Sequence, residues 1–300
     1  MRLGVDIGGT KTDVVLVRDD VVIARHRAPS GFGEEDVIRS ATAAVGAVLA
    51  QAGIGFDDVR SIGIGVPGGV VDGVVTYALN LGLERLDLAG ALEEAWGLRP
   101  VVDNDVNVAA LGAWTHLGRT DDSLAYLNLG TGLAAGLILG GRLWRGANGT
   151  AGELGHISVD PKGPADADGL PGALETYASG SGITRQWGVQ GAVARDVFDA
   201  ADRGDPTAIA IREGLYFGVA SAVRALVLML DVQRVIIGGG LAAHSAEILL
   251  GTARQFAEWG SRSAFLESLA LQERLLVLDA DAPVAALGAA DLGAGDVSRG

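Results

Sequence analysis

The stretch RLGVDIGGTKTDVVLVR, residues 2–18, decides the fold. Two apolar runs of strand-forming residues flank Gly8-Gly9-Thr10-Lys11, so the spacing predicts strands over 2–8 and 12–18 around a tight turn. A weaker echo follows at LAYLNLGTGLAAGLILGG, residues 124–141, where Gly130-Thr131-Gly132 separates two more apolar runs. The echo reads as a weak internal repeat and suggests two similar domains.

Between and after these units, strands alternate with helices. A third strand is predicted over 21–27. Val37, Ile38, Ala41, Val45, Val48 and Leu49 recur at helical spacing within 34–52. SIGIGVPGG (61–69) reads as a buried strand ending in a turn, 86–96 as a short helix, and 99–107 as a strand running into a polar cluster. Helices are expected over 107–117, 174–187, 193–201, 206–230, 244–259 and 286–293, and strands over 233–241 and 274–281. This alternation is that of an α/β protein.

Composition bounds the function. Three hundred residues is a soft prior for two domains, and no low-complexity linker separates them. A net charge of −14 argues against nucleic acid or an anionic membrane as partner. The absence of cysteine excludes disulfides and thiolate-held zinc. No signal peptide is read at the N-terminus. The apolar run FGVASAVRALVLML (217–230) is too short to span a bilayer and carries Arg224, so a buried core helix is expected. A cytoplasmic protein is expected.

Several motifs carry chemistry. In DIGGTKT, glycines let backbone N–H groups approach a phosphate, and Thr10 and Lys11 add a hydroxyl and a charge. Lys11 is one of only two lysines in the chain, so it is not background usage. Asp6, at a strand end, is placed to hold hydrated Mg²⁺. A capped Gly-rich hairpin is the competing reading. NLGTG lacks the lysine and helix of a Walker loop, and alone reads as a hairpin. Gly238, Gly239 and Gly240, between a buried strand and a helix, permit flat contact with a nucleotide's adenosine, or form a plain turn. In VDNDVN (102–107), Asp105 can act as general base, while Asn104 and its neighbours equally suit a helix N-cap. Glu153 and His156 in GELGH stand one helical turn apart. With Glu175 they offer partners for sugar hydroxyls, or are surface charges.

The ordered set DIGGTK, VPGG, DNDVN, NLGTG, GELGH, LETYASG and IIGGG resembles the ROK family (repressors, open reading frames, kinases) from residue 3 to about 290. The resemblance implies an actin-like ATPase or sugar-kinase fold: two RNase-H-like domains with an interdomain cleft. It implies a small domain over 1–108 with a returning C-terminal helix in 282–300, and a large domain over 109–281. It implies an ATP- and Mg²⁺-dependent kinase acting on the 6-hydroxyl of a gluco-configured hexose, glucose first, with Asp105 as base. N-acetylglucosamine, N-acetylmannosamine or an amino sugar are alternatives, and so is a non-catalytic sugar binder. By resemblance, Gly68, Gly69, Asn104, Asp105, Glu153, His156 and Glu175 contact sugar. Asp6, Gly8, Gly9, Thr10, Lys11, Thr131, Gly132, Gly238, Gly239 and Gly240 bind the nucleotide. A homodimer is expected. A repressor is not, because the DIGGTK strand begins where a helix-turn-helix would precede it.

One segment departs from the family pattern. In HISVDPKGPADADGLPGALE (156–175), Asp166, Asp168 and Ala173 stand where the family has zinc-binding cysteines. No structural zinc is therefore expected, with a weak oxygen site for Mg²⁺ or Ca²⁺ as the alternative. Asp166 or Asp168 is expected to anchor His156 by accepting a hydrogen bond from its ring, unless packing alone holds it.

Overall fold

The computed structural model describes residues 1–278 and 282–295. Along the chain run β1 (Arg2–Ile7), β2 (Lys11–Arg18), β3 (Val21–Pro29), α1 (Glu34–Ala52), β4 (Ser61–Val66), β5 (Gly69–Val71), β6 (Val74–Ala78), β7 (Leu83–Asp87), α2 (Leu88–Trp96), β8 (Val101–Asn104) and α3 (Asp105–His116). Next come β9 (Ser123–Leu129), β10 (Leu133–Leu139), β11 (Arg142–Trp144), α4 (Leu174–Ala178), α5 (Gly180–Trp187), α6 (Ala194–Asp202) and α7 (Pro206–Leu230). The chain closes with β12 (Arg234–Gly238), α8 (Ser245–Arg262), α9 (Ala264–Ser268), α10 (Leu271–Arg274), β13 (Leu275–Val277) and α11 (Val284–Ala294). The last expected strand, 274–281, is shorter than its pattern, and its residues 279–281 lie outside the described residues.

Two compact units result. The first holds Met1–Asp122, Gly136–Ala151 and the described residues from 282 on; the second holds Ser123–Ala135 and residues 152–278. This differs from a boundary at 108/109. Helix α3 would be severed there, yet it packs on α11 at backbone distance. A Cβ on Gly112 would stand 1.7 Å from the Val284 carbonyl oxygen, and one on Gly288 would stand 1.8 Å from that of Val108. Two helices in such contact belong to one core.

The first unit is built on a sheet ordered β3-β2-β1-β4-β8, antiparallel from β3 to β1 and parallel from β1 to β8. Strand alternation sorts its faces. Leu3, Val5, Ile7, Val14 and Leu16 join α1 and α2 in one buried cluster. Val15 and Val17 face the other way, onto Ala286, Leu287 and Ala290 of α11. Gly4 lies on that second face, where a Cβ would meet the Ala286 carbonyl oxygen at 1.8 Å, so the helix sits directly on the strand. Asp6 and its cross-strand partner Asp13 share this face at the sheet's end.

A small antiparallel sheet, β5-β6-β7, occupies part of 69–87, where the sequence reading places no strand after Gly69. Its first turn is Asp72-Gly73 with φ of 51° and 85°. Both residues are left-handed, as a two-residue hairpin of the I′ type requires.

In the second unit β9 and β13 flank β12, all parallel. Helix α7 is the core helix here, burying Leu215, Val219, Val223 and Val227 among others against α4, α6 and α8. Its full span is 25 residues, long and apolar enough to cross a membrane, so shortness is not the reason to read it as a core element; its buried side is. Arg224 lies 4.0 Å above the Trp259 ring, and burial holds its pKa below the usual arginine value.

Candidate active site

The first unit gathers its polar residues at one end of the sheet. Strand β1 ends beside the turn Gly8–Lys11, closed by Gly8 N–H donating to the Lys11 carbonyl at 2.9 Å. Thr10 and Lys11 are exposed, and Lys11 has no ion-pair partner among the described residues. Gly65 on β4 pairs with Asp6 on β1. A side chain at Gly65 would strike Val108 at 2.3 Å, and Asp105 Cα lies 3.6 Å from that Cβ position. The missing side chain admits the first turn of α3, which brings Asp105 to bear on Asp6.

Asp6 is a strongly perturbed carboxyl. Burial, then the Asp105 charge, then that of Asp13, pushes its pKa up to about 8; Arg27 opposes them. Asp13 itself is engaged by Arg25 at 2.6 Å and Arg27 at 2.8 Å. A buried carboxyl at the sheet end with Asp105 and Asp13 acting on it fits a hydrated Mg²⁺ completed by phosphate oxygens. It does not make a protein-only cage: among the described residues no group of three His, Asp or Glu is arranged to hold a metal.

Asn104 is the N-cap of α3. Its Oδ1 accepts from Val106 N–H at 2.9 Å and Asn107 N–H at 3.4 Å, and its Nδ2 donates to the Gly68 carbonyl at 3.1 Å. Capping and a place beside the PGG turn thus coexist in one residue. Gly68 has φ 93°, and a Cβ there would lie 2.4 Å from the Thr76 carbonyl oxygen. Asp105 opens the helix, with Oδ1 accepting from Val106 N–H at 2.9 Å. Asp103, which sequence reasoning passes over, is the buried member of the cluster. It accepts from Asn104 N–H, Asn107 Nδ2 and Arg145. Arg145 lies 42 residues away, and no local pattern links the two.

The second unit brings the NLGTG and GELGH turns together through Glu175. Its Oε2 accepts from Leu133 N–H at 2.9 Å. Cβ atoms built on Gly132 and Gly155 would stand 2.7 and 3.3 Å from the same oxygen. The turn is also fastened from the start of α5: Gly180 N–H donates to the Gly130 carbonyl, and Ser181 N–H to that of Thr131. Ser179 caps α5. The definite segment LETYASGSG therefore presents Glu175 and backs the Gly-Thr-Gly turn in one run.

Glu153 precedes and His156 closes a 3₁₀ turn, Leu154–His156, and both residues are exposed. In this tighter turn residues three apart eclipse, so the two share a side more closely than on an α-helix. Gly238 lies over Tyr126, whose hydroxyl would be 1.8 Å from an added Cβ; Gly239 has φ 84° and lies against Asn128 and Leu129. Beyond Gly240 there is open space within 4 Å.

The 156–175 loop is a small hairpin with bridges Ser158↔Ala173 and Ala165↔Pro171. Neither Asp166 nor Asp168 bonds His156. Asp166 Oδ1 instead accepts from Asp168 N–H at 2.9 Å and Leu170 N–H at 2.8 Å, folding the tip on itself. Tyr177 O–H donates to Asp160 at 3.0 Å, and burial with that contact pushes the phenol up to about 12.

The fold is the actin-like ATPase fold of sugar kinases. The chain belongs to the ROK family, whose model matches residues 2–292. It is 32% identical over 277 residues to a glucokinase of Thermotoga maritima, covering 84% of this chain and 86% of that one. It is also 32% identical over 258 residues to an N-acetylmannosamine kinase of Citrobacter koseri, covering 85% and 87%. Among solved structures, a ROK family glucokinase from Streptomyces griseus in complex with glucose and AMPPNP superposes with a TM-score of 0.75 at 29% identity, covering 98% and 99%.

Proposed function

We propose that this protein is an ATP-dependent hexose kinase that phosphorylates the 6-hydroxyl of glucose. The observation that carries the reading is Asp105, set at the first turn of α3, whose charge acts on the buried carboxyl of Asp6 just before the Gly8–Lys11 turn. Asp105 takes the 6-hydroxyl proton as that oxygen bonds to the γ-phosphorus; the bond to the bridging oxygen breaks and ADP leaves. The Gly8, Gly9, Thr10, Lys11 turn and the Thr131, Gly132 turn take phosphate oxygens, and Gly238–Gly240 lie flat on the adenosine. When bound, Mg²⁺ neutralises phosphate charge, held through water by Asp6. Gly68, Gly69, Asn104, Glu153, His156 and Glu175 orient the sugar, and a buried hydroxyl without its partner costs about 1–3 kcal/mol.

Glucose is favoured by the glucokinase relative and by the glucose-bound neighbour. An N-acetylmannosamine kinase is the second reading, favoured by an equally identical relative. The reading carries with it a cytoplasmic homodimer without structural zinc. ADP release measured with glucose, N-acetylglucosamine, N-acetylmannosamine and an amino sugar tests it. The highest kcat/KM on glucose is expected. Tight sugar binding with no turnover on any of the four would instead identify a binding protein.

A further inference from the structure

We propose that Arg145 is a positioning residue for phosphoryl transfer: acting through Asp103, it fixes the first turn of α3 and so the direction in which Asp105 meets its hydroxyl. This rests on the kinase reading above. Asp103 is buried near the end of β8, and its two oxygens divide their work. Oδ2 receives Arg145 Nε at 2.7 Å and the same guanidinium's Nη2 at 2.6 Å. Oδ1 receives Asn104 N–H at 2.7 Å and Asn107 Nδ2 at 2.9 Å. Asn104 in turn caps α3 and reaches Gly68. Asp105 stands between the two asparagines that this carboxylate holds.

The form of the contact argues for placement rather than plain charge balance. Two guanidinium nitrogens on one oxygen, with two further donors on the other, leave the carboxylate plane no freedom to turn. A lysine would supply the charge but not the fork. Arg145 is itself fixed at the start of a closed loop, with its carbonyl accepting from Ala151 N–H at 3.2 Å just after β11. Its side chain is partly exposed, at 29%. Without the guanidinium, a buried carboxylate loses its countercharge and must rotate toward water or take a proton. Either change releases the Asn104 and Asn107 contacts that set the helix start. Displacements on the order of 1 Å at a reacting group cost about 10²-fold in rate.

The test is steady-state kinetics of Arg145→Ala with free guanidinium ion added at sub-denaturing concentration. The expected result is a kcat about 10²-fold lower, with nucleotide KM nearly unchanged and only a smaller change in sugar KM through Asn104. Guanidinium should restore kcat in this variant, but neither in the wild type nor in Arg145→Ala combined with Asp103→Asn. Arg145→Lys, which keeps the charge, covers the case in which the alanine variant does not fold; it should also lose kcat, by a smaller factor. A wild-type kcat in either variant would overturn the proposal. So would a loss that appears in KM instead, or one that guanidinium does not relieve. Absence of turnover by the wild-type protein on every hexose would remove the kinase reading itself, a distinct outcome.

Discussion

The Asp6 carboxyl should make the metal-free protein less stable as pH rises through neutrality. In the folded chain burial, Asp105 and Asp13 hold its pKa at about 8, against 3.8 for an ordinary aspartate. The native state therefore keeps a proton that the unfolded chain has lost across this window. Stability is greatest at the acid side and falls with rising pH until Asp6 ionises in both states. Over the whole range that corresponds to on the order of 5 kcal/mol. Asp6→Asn keeps the shape, removes the charge and should abolish that slope. The assay is thermal unfolding of both proteins at several pH values from 5 to 9 in the presence of a chelator. For a protein of this size each kcal/mol moves Tm by roughly 2–4 °C, so the wild type should lose several degrees relative to the variant. Parallel Tm–pH curves would refute the reasoning.

Other outcomes follow from the same geometry. Asp105→Asn should lower kcat by about 10²–10⁴-fold while leaving sugar binding, read by calorimetry, intact. Glu175→Ala removes the acceptor for Leu133 N–H and should weaken both sugar and nucleotide binding; Glu175→Gln, which keeps an acceptor there, should retain much of the nucleotide affinity. Gly112→Ala forces apart α3 and α11 and should cost about 1–3 kcal/mol or more in chemical denaturation. Dialysis against a strong zinc chelator should leave Tm unchanged, with Asp166→Ala lowering it instead, because Asp166 closes the loop tip.

The sequence carried the parts of this fold whose information is local. Strand periodicity in 2–18 and 61–66, helical periodicity in 34–52 and the glycines at 8–9 and 238–240 each express a constraint within one segment. The β5-β6-β7 sheet also left a local signal: Asp72-Gly73 between valine pairs is a hairpin pattern, but the surrounding residues lack a strict apolar alternation. Asp103 and Arg145 were illegible for a different reason. A charge pair separated by 42 residues has no periodicity, and each member alone reads as an ordinary surface residue. The Gly112 and Gly288 contact was illegible likewise, since it exists only between helices far apart in the chain. His156 was expected to gain a carboxylate partner because two aspartates stand where the family has zinc-binding cysteines; in the fold the nearer attraction for Asp166 is its own loop's backbone N–H groups.

The place of α11 in the first unit gives this chain an unusual schedule of birth. During synthesis the residues that form β1, β2, β4 and α3 emerge long before the helix that covers them. At about 5–20 residues per second, the intervening chain takes roughly 8–35 s to appear. For that interval Val15, Val17 and the glycine-lined face of the sheet have no cover. The second unit, largely continuous in sequence, can collapse first. Helix α11 thus acts as the closing stroke for the first unit, and that unit's need for protection is greatest just before α11 leaves the ribosome.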